Sequence, residues 1–463
     1  MKEISIKITA TFKENASLGL LYHNIKLRQS CVLKVTGIPE GCDAFLDDRL
    51  GNRFYMSEDG VYEIIPSNFL AEALYLSIEK YPERWYRSKL TIEQLPLYPG
   101  ALVFDGVDDY GTCDNFPILT KEKGYTVVAL RQWLTPQTKT NNEILFCNLK
   151  NEPKWGIVNF GAFYIEVKYN KTELRRTNSF GENNVITIGN SPLFYQTSNS
   201  YNGSSIISGD IDSGGNFLTV GCGGDSFYSN VVIWEICILD HDATEEELTK
   251  IKDYFVKTYP WLFPDQAWTV VGKTNEDEDR ATIANITGNG NDLILSNFGF
   301  AEGSGYNKEG EYAGYLVTDG VDDKIVSSSF GMGKDFTVVG EWTLLQNINV
   351  SSLRKQSSFI IRNNDLGLSL FINRISHATL IHTKSLKAFC SNGVLYKSDW
   401  TEQIDTTPQD ITSSNSELLI ASHYKNNSEY DKIAFKNLAI YPTVLSKDDC
   451  IKAYNYLQTL KAK

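Results

Sequence analysis

The sequence predicts an all-β protein in three parts. A small antiparallel β-sandwich over residues 1–96 precedes two related β domains, over 97–263 and 264–463, each closed by a short helix. Three observations predict this. Short apolar runs, rich in aromatics (Tyr 25, Phe 23 and Trp 8 in 463 residues), are punctuated by Gly, Asn, Asp and Pro, the composition of strands and turns. The word DGVDD occurs twice, at Asp105–Asp109 and Asp319–Asp323, 214 residues apart (319 − 105). Both later thirds end on an apolar strand, a turn and one amphipathic helix.

In the first part, Ile4, Ile6 and Ile8 alternate with polar residues as in a strand. QSCVLKVTGI, FLDDRLGNRFY, DGVYEII and SKLTIEQL follow, separated by turn clusters, which is the pattern of a small sandwich. The run YPERWYRSKL places Tyr81, Trp85 and Arg87 on one strand face. The overall acidity makes a strand a better reading than a nucleic-acid platform.

The repeat then begins. Leu102–Trp133 and Tyr315–Trp342 both run strand, DGVDD, strand, loop, then Thr-Val-Val in a strand ending near a Trp. The offset falls from 214 to 211 by Thr126 and Thr337, a loop difference of three residues. In FDGVDDY, Phe104 and Val107 are expected to face inward while Asp105-Gly106 turns, since Gly accepts a positive φ freely. Thr318 and Lys324 replace Phe104 and Tyr110 in the second copy, so the shared requirement is backbone shape. Each copy closes alike, in Asn230–Phe255 and Asp431–Leu457. Thr244 with Glu247 has capping-box spacing, and Ser446 with Asp449 is its weaker analogue. Leu248, Ile251 and Phe255 stripe one helix, and Cys450, Tyr454 and Leu457 the other. Pro260 and Pro264 mark the boundary between copies. After it, NITGNGND predicts a strand pair hinged on Asn289-Gly290, for which the first copy has no counterpart.

The net charge of −13 argues against nucleic acid or an anionic membrane as the main partner, since phosphates demand a cationic face. No apolar run approaches the ~20 residues of a bilayer span, and MKEISIKITATF lacks the apolar block of a signal peptide. The eight cysteines (31, 42, 113, 147, 222, 237, 390 and 450) form no CxxC and no tight framework. They read as reduced, buried thiols of a protein folded in a cytosol.

Taken together, the FDGVDDY strand–turn–strand, the TVV strand ending near Trp and the closing strand with its capped helix resemble the laminin-G-like, concanavalin-A-like lectin/glucanase superfamily. NITGNGND is similar to the DxSGNGN opening of that group, with Asn285 where Asp is usual. The resemblance covers 97–463 in two copies and leaves 1–96 unexplained. It implies two jelly-roll sandwiches, a fold found in lectins, adhesins, glycanases and viral surface proteins.

The residue types raise three chemistries. Many laminin-G-like domains hold calcium, so Asp105, Asp108 and Asp109, and the oxygen-rich DIDSGGN with Asp210, Asp212 and Asn216, are its candidate ligands. Calcium wants six to eight oxygens, and each acidic group, NEDED at 275–279 included, also reads as a solvated turn. Catalysis is not expected. The E-x-D-x-(x)-E strand of the family's glucanases is missing, no G-x-S-x-G occurs, and His377 and His382 cannot share a strand face. Carbohydrate binding uses an exposed aromatic platform among Asn, Asp and Gly donors. Trp155, Tyr195, Tyr201 and Tyr228 in one copy and Trp400 and Tyr424 in the other form the candidate pool, although any aromatic can be core.

The expected function is a non-enzymatic bacteriophage surface protein, a head or tail fibre or decoration protein. Its N-terminal part would dock on other virion proteins while the lectin-like copies contact glycans. Assembly in the host cytosol and exit by lysis suit unpaired cysteines without a leader. A homo-oligomer is expected, although no heptad run specifies a trimer. The alternatives are a bacterial glycan-binding adhesin, and protein–protein contact modules without sugar binding.

Overall fold

A computed structural model describes residues 7–11, 31–64 apart from 49, 75–79, 89–95, 98–116 apart from 107, 123–134, 143–147, 164–169, 173–177, 183–187, 192–201 apart from 199, 204–205, 217–222, 228–328, 330–345, 359–363, 366–370, 386–397, 400–404, 413–421 and 430–462. These residues fold mostly into β-strands in several sheets. Among them are two α-helices, α1 (Glu245–Thr258) and α2 (Lys447–Gln458). All-β is therefore the class.

The N-terminal part forms two antiparallel sheets. One runs Lys7–Thr11, Lys89–Leu95, Cys31–Thr36, Gly60–Ile64, and the other Arg53–Met56, Asp43–Asp47, Tyr75–Glu79. Val35, Ile64, Leu90 and Ile92 of the first share one apolar cluster with Ala44, Leu46 and Met56 of the second. The turn of the Asp43–Asp47/Arg53–Met56 hairpin is held by Asp48, which is 2% exposed. Its carboxylate accepts from the backbone N–H groups of Leu50 and Asn52 and from the Asn52 amide. Residues 81–88, with Tyr81, Trp85 and Arg87, lie outside the described residues.

The duplication is carried in strand order and register. In the first copy one sheet runs Leu193–Thr197, Thr126–Trp133, Asn230–Leu239, Leu102–Asp105, and its partner runs Tyr164–Tyr169, Glu143–Cys147, Phe217–Val220, Gly111–Asp114. The second copy repeats both orders with Leu386–Cys390, Thr337–Leu344, Ile433–Tyr441, Leu316–Val317 and with Leu366–Leu370, Phe359–Asn363, Ser413–Ile420, Lys324–Ser327. Thr126 pairs with Leu239 as Thr337 pairs with Tyr441, and Val103 with Val232 as Val317 with Ala434. Even the bulge recurs, between Leu130 and Arg131 and between Glu341 and Trp342. A bulge re-aims the side chains beyond it, so both copies turn their central strand at the same point.

The second copy carries additions with no counterpart among the described residues of the first. Gln266–Thr269 pairs with the C-terminal half of Ile433–Tyr441, and Gly305–Tyr306 extends the sheet beyond Leu316–Val317. The expected hairpin on Asn289-Gly290 is wider than a two-residue turn. Thr282–Ile283 pairs with Leu293–Ser296, and residues 284–292 connect them. Asn285 explains the width: its side-chain oxygen accepts from the Thr287 hydroxyl and from the N–H groups of Thr287 and Ala267, and its amide donates to Gln266.

Each copy has a cluster drawing on both of its sheets. Phe104, Val127 and Val231 meet Phe146 and Leu218 in one; Trp268, Val338 and Phe435 meet Ile325 and Leu418 in the other. A further cluster joins the copies. Val128, Leu130, Val232 and Trp234 of the first meet Val339, Ala439 and Tyr441 of the second across α1, α2 and the 3-10 turn Pro260–Leu262. Trp234 meets both Tyr98 and Tyr456 edge to face, with ring centres 6.2 Å apart in each pair.

The two helices enter as expected. Thr244 and Glu247 form a reciprocal capping box. The Ser446 hydroxyl accepts from the Asp449 N–H at 3.1 Å and donates to the shorter Asp449 side chain at 2.7 Å. Cysteine burial is less uniform. Six thiols are free among the described residues; Cys42, Cys222, Cys390 and Cys450 are buried, but Cys113 is exposed, because its strand Gly111–Asp114 ends the sheet and leaves Thr112, Cys113 and Asp114 all open to solvent.

Candidate functional site

Both DGVDD words make one turn. Gly106 and Gly320 each sit at φ 76°, a conformation that suits glycine. The first aspartate caps the turn from inside: Asp105 accepts from the Asp108 N–H at 3.5 Å, and Asp319 from Val321 at 2.7 Å and Asp322 at 3.3 Å. The last reaches back, Asp109 accepting from the Asp105 N–H at 3.4 Å and Asp323 from the Asp319 N–H at 2.7 Å. Phe104 is buried as expected, whereas Val107 lies outside the described residues. Its copy Val321 is 70% exposed, because the turn's polar atoms, and not its valine, hold it closed.

Three carboxylates come within 4.8 Å of one another in each turn, Asp105, Asp108 and Asp109 in one, Asp319, Asp322 and Asp323 in the other. In both, the first and last already accept backbone N–H groups, so the turns offer calcium a partial shell of the six to eight oxygens it wants. Asp210, Asp212 and Asn216 lie outside the described residues.

Of the aromatic pool, Tyr195, Tyr228 and Trp400 are described with their surroundings. Trp400 is corrected to a core residue: it is 7% exposed, joins the cluster between the copies and meets Tyr454 edge-on at 5.6 Å. No ring face is left for a sugar. Tyr195 is half-buried, with the Lys252 ammonium 4.8 Å from its ring centre. Tyr228 is half-buried and 6.2 Å from Tyr110, itself 53% exposed beside the first acidic turn. Tyr201 lies on the short strand Ser200–Tyr201; Trp155 and Tyr424 lie outside the described residues.

A groove appears elsewhere, between residues 275–280 and 299–310 of the second copy. It is an open depression of about 690 Å³, wide to solvent. One loop is closed by Asp277, whose carboxylate takes the N–H and hydroxyl of Thr274 at 2.8 Å each. Asn275 then acts as a strand partner, its amide accepting from the Tyr306 N–H at 2.8 Å and donating to the Tyr306 carbonyl at 3.0 Å. That approach requires Gly305, where φ is 155° and a Cβ would stand 2.6 Å from the Asn275 oxygen. The Tyr306 hydroxyl donates to the Arg280 carbonyl at 2.8 Å.

The opposite wall is presented under strain. Phe300 sits at φ 49°, a region that bulky residues rarely occupy. The turn after it is closed by reciprocal 3.1 Å bonds between Ala301 and Ser304. The Ser304 hydroxyl accepts from the Gly299 N–H at 2.8 Å and donates to Asp323 at 3.1 Å. The second DGVDD turn therefore anchors the loop carrying Phe300. Asp323 is fully buried, and burial raises its carboxyl to a pKa of about 6 against the pull of the Asp319 N–H and Ser304. The Phe300 ring lies near Phe298 at 6.0 Å and stacks on Tyr306 at 6.5 Å, with the Arg280 guanidinium 5.0 Å from its centre.

Acidic side chains edge the groove. Glu276 pairs across the loops with Lys308 at 2.8 Å, and that bond holds its carboxyl below the ordinary range. Glu302 and Glu309 line the groove exposed. In the sequence NEDED reads as an acidic knot, and Phe300 stands out by no motif. The signal that could have marked it is FGFAEGSGYNKEG, where aromatics, glycines and acids alternate without a strand or helix period.

No family model matches the chain, and no curated protein sequence matches it. Solved structures give distant likenesses. Domain 4 of the extracellular arabinanase AbnA from Geobacillus stearothermophilus, in complex with arabinotriose, is 14% identical over 41% of this chain and 99% of its own, at a TM-score of 0.26. The binding domain of Paraclostridial Mosquitocidal Protein 1 is 14% identical over 40% and 50%, at 0.24. Trypanosoma rangeli sialidase is 11% identical over 62% and 49%, at 0.28. This chain thus spans about half of the last two. Likeness at these scores carries no argument for function.

Proposed function

We propose that this chain is a non-catalytic glycan-binding protein whose sugar site is the groove of the second copy. The observation that carries this reading is Phe300, an aromatic ring held in a strained backbone conformation at the wall of a groove ringed by polar side chains. Strain of this kind persists only where the surroundings enforce it, and here two hydrogen-bonded loops do so. An aromatic face offers the C–H side of a sugar ring apolar contact, while the polar rim offers hydrogen bonds.

The paired sheets of each copy, closed by one helix, are read as laminin-G-like jelly-roll sandwiches, supported by the repeated strand order and by clusters that draw on both sheets. The six free thiols support assembly in a reducing compartment, which suits a protein displayed on a bacteriophage particle. Calcium at the DGVDD turns and docking through the N-terminal sheets belong to the same proposal.

Phe300→Asn is the decisive variant, because Asn tolerates the left-handed region and so removes the ring without changing the backbone. On a glycan array the native protein is expected to give hits that F300N loses while it still unfolds cooperatively, its melting temperature lowered only by the lost packing on Phe298 and Tyr306. A blank array for the native protein, or hits indifferent to the variant, overturns the groove as a sugar site and leaves protein–protein contact as the role of these copies.

A further inference from the structure

Two thiols of the second copy meet beneath the start of α2. Cys390 ends the strand Leu386–Cys390 and pairs with Thr337, the first residue of the central strand. Cys450 lies near the start of α2, its N–H bonded to the carbonyl of the cap residue Ser446 at 2.8 Å. Both side chains are buried in the layer between the copies, and the Cys450 thiol donates a hydrogen bond to the Cys390 sulfur. The corner is tied down around them. The Cys390 thiol donates to the Leu445 carbonyl at 3.9 Å, and the Leu445 N–H donates to the Thr337 hydroxyl at 2.9 Å. We infer that Cys390 and Cys450 are the site of a disulfide, closed by a low-molecular-weight disulfide as oxidant, that clasps the closing helix to the sheet.

Packing alone does not call for two cysteines here. Register gives the equivalent positions of the first copy. Thr197 faces Thr126 as Cys390 faces Thr337, and the Leu248 N–H bonds the Thr244 cap carbonyl as Cys450 bonds that of Ser446. A threonine and a leucine serve there, so neither place requires a thiol, yet the second copy carries both. A disulfide needs its two sulfurs, and the Cβ atoms behind them, to face each other at close range; hydrogen-bonded thiols on two different elements meet the first need. Their shared bond also divides the roles, holding the Cys390 thiol below the usual range and the Cys450 thiol above it. Cys390 is therefore the attacking thiolate. Its sulfur bonds one sulfur of the oxidant, whose own S–S bond breaks, and one small thiol leaves. Cys450 then releases its proton and attacks the Cys390 sulfur, expelling the second small thiol. The protein loses two protons and two electrons, and the oxidant becomes two thiols. The pair is buried, so the reagent reaches it while α2 is off the sheet, on local opening or in folding.

Mass spectrometry on the full chain tests this. The reduced protein is held in a buffer rich in oxidised glutathione, in one sample as folded and in another during refolding from urea. Free thiols are then capped and the chain is digested without reductant. A peptide linking Cys390 to Cys450 is expected as the main cross-link, and dithiothreitol should reverse it. The linked protein is expected to melt about 5–10 °C above the reduced one. C390T/C450L, which carries the first copy's residues at both positions, is expected to fold and to melt alike in oxidising and reducing buffer. No such peptide from either sample, with glutathione bound only at the exposed Cys113 or cross-links formed elsewhere, overturns the inference. A Cys390–Cys450 link that leaves the melting temperature unchanged, or lowers it, overturns the clasp.

Discussion

Asp109 and Asp323 occupy the same place in a duplicated turn and live in different electrostatic worlds. Asp109 is half-buried, whereas Asp323 is sealed under Ser304 and the loop that carries Phe300. Its folded pKa, about 6, lies above the ordinary 3.8, so the fold prefers its protonated form. The stability this group contributes is full below pH 3.8 and is lost as pH rises through 6. D323N, which cannot ionise, is expected to gain on the native protein in melting temperature as pH rises across that window; a constant difference would exclude a burial effect. Glu341 has the opposite sign. Burial disfavours its charge, but the ammonium groups of Lys387 and Lys436 and the hydroxyls of Tyr315 and Tyr454 outweigh that and hold it at about 2. Its contribution is present above pH 4.5 and lost as pH falls through 2. E341Q should cost about 3–5 kcal/mol at neutral pH, because it leaves two ammonium groups facing each other. Denaturation at neutral and strongly acid pH checks this, since the gap must shrink in acid. Neither effect was legible in sequence: an aspartate in a repeated word and a glutamate in a strand carry no mark of what the chain later folds over them.

Between residue and molecule, the copies share a device. The Thr126 hydroxyl donates to the His241 carbonyl at 2.9 Å and accepts from the Ala243 N–H at 2.7 Å; the Thr337 hydroxyl does the same with Thr443 at 2.8 Å and Leu445 at 2.9 Å. Each threonine starts the central strand and pins the turn that leads into the copy's helix. T126V and T337V are each expected to cost about 1–3 kcal/mol by stranding a buried N–H and carbonyl, measured by urea titration; an effect at one site alone would mean the bridges are not equivalent. Gly340 adds a further test. A Cβ there would stand 2.5 Å from the Asn437 carbonyl, so G340A should destabilise by about 1–3 kcal/mol, although the matching residue of the first copy is Ala129. At this scale the sequence was most readable. The doubled DGVDD, the Thr-Val-Val strands and the spacing of Thr244 with Glu247 each encode a local geometry by residue type and interval. The groove was not readable, because it arises where 275–280 and 299–310 meet through Asn275 and Gly305, a contact that no periodicity announces. The same limit misplaced Trp400, whose polar neighbourhood in sequence suggested exposure while the fold set it against Tyr454.

For the molecule as a whole, what matters is that the two copies share an apolar layer instead of hanging on a linker. Trp234 lies between Tyr98 on one side and Tyr456 of α2 on the other, and the Gln132 side chain reaches Thr459 at 3.2 Å. The two copies are therefore expected to unfold in one cooperative step. W234A, which opens a cavity in that layer at a cost of about 3–5 kcal/mol, should split the transition in two. Calorimetry decides it, and a native protein that already melts in separate steps across this region refutes the coupling.

That layer also governs how the chain would answer a mechanical pull. Tension entering at one copy passes through packed rings and helices before it can peel a strand from the other. A tether built this way yields in one large event and stays taut until then, where beads on a string would lengthen one at a time. Any load-bearing role would gain from such stiffness.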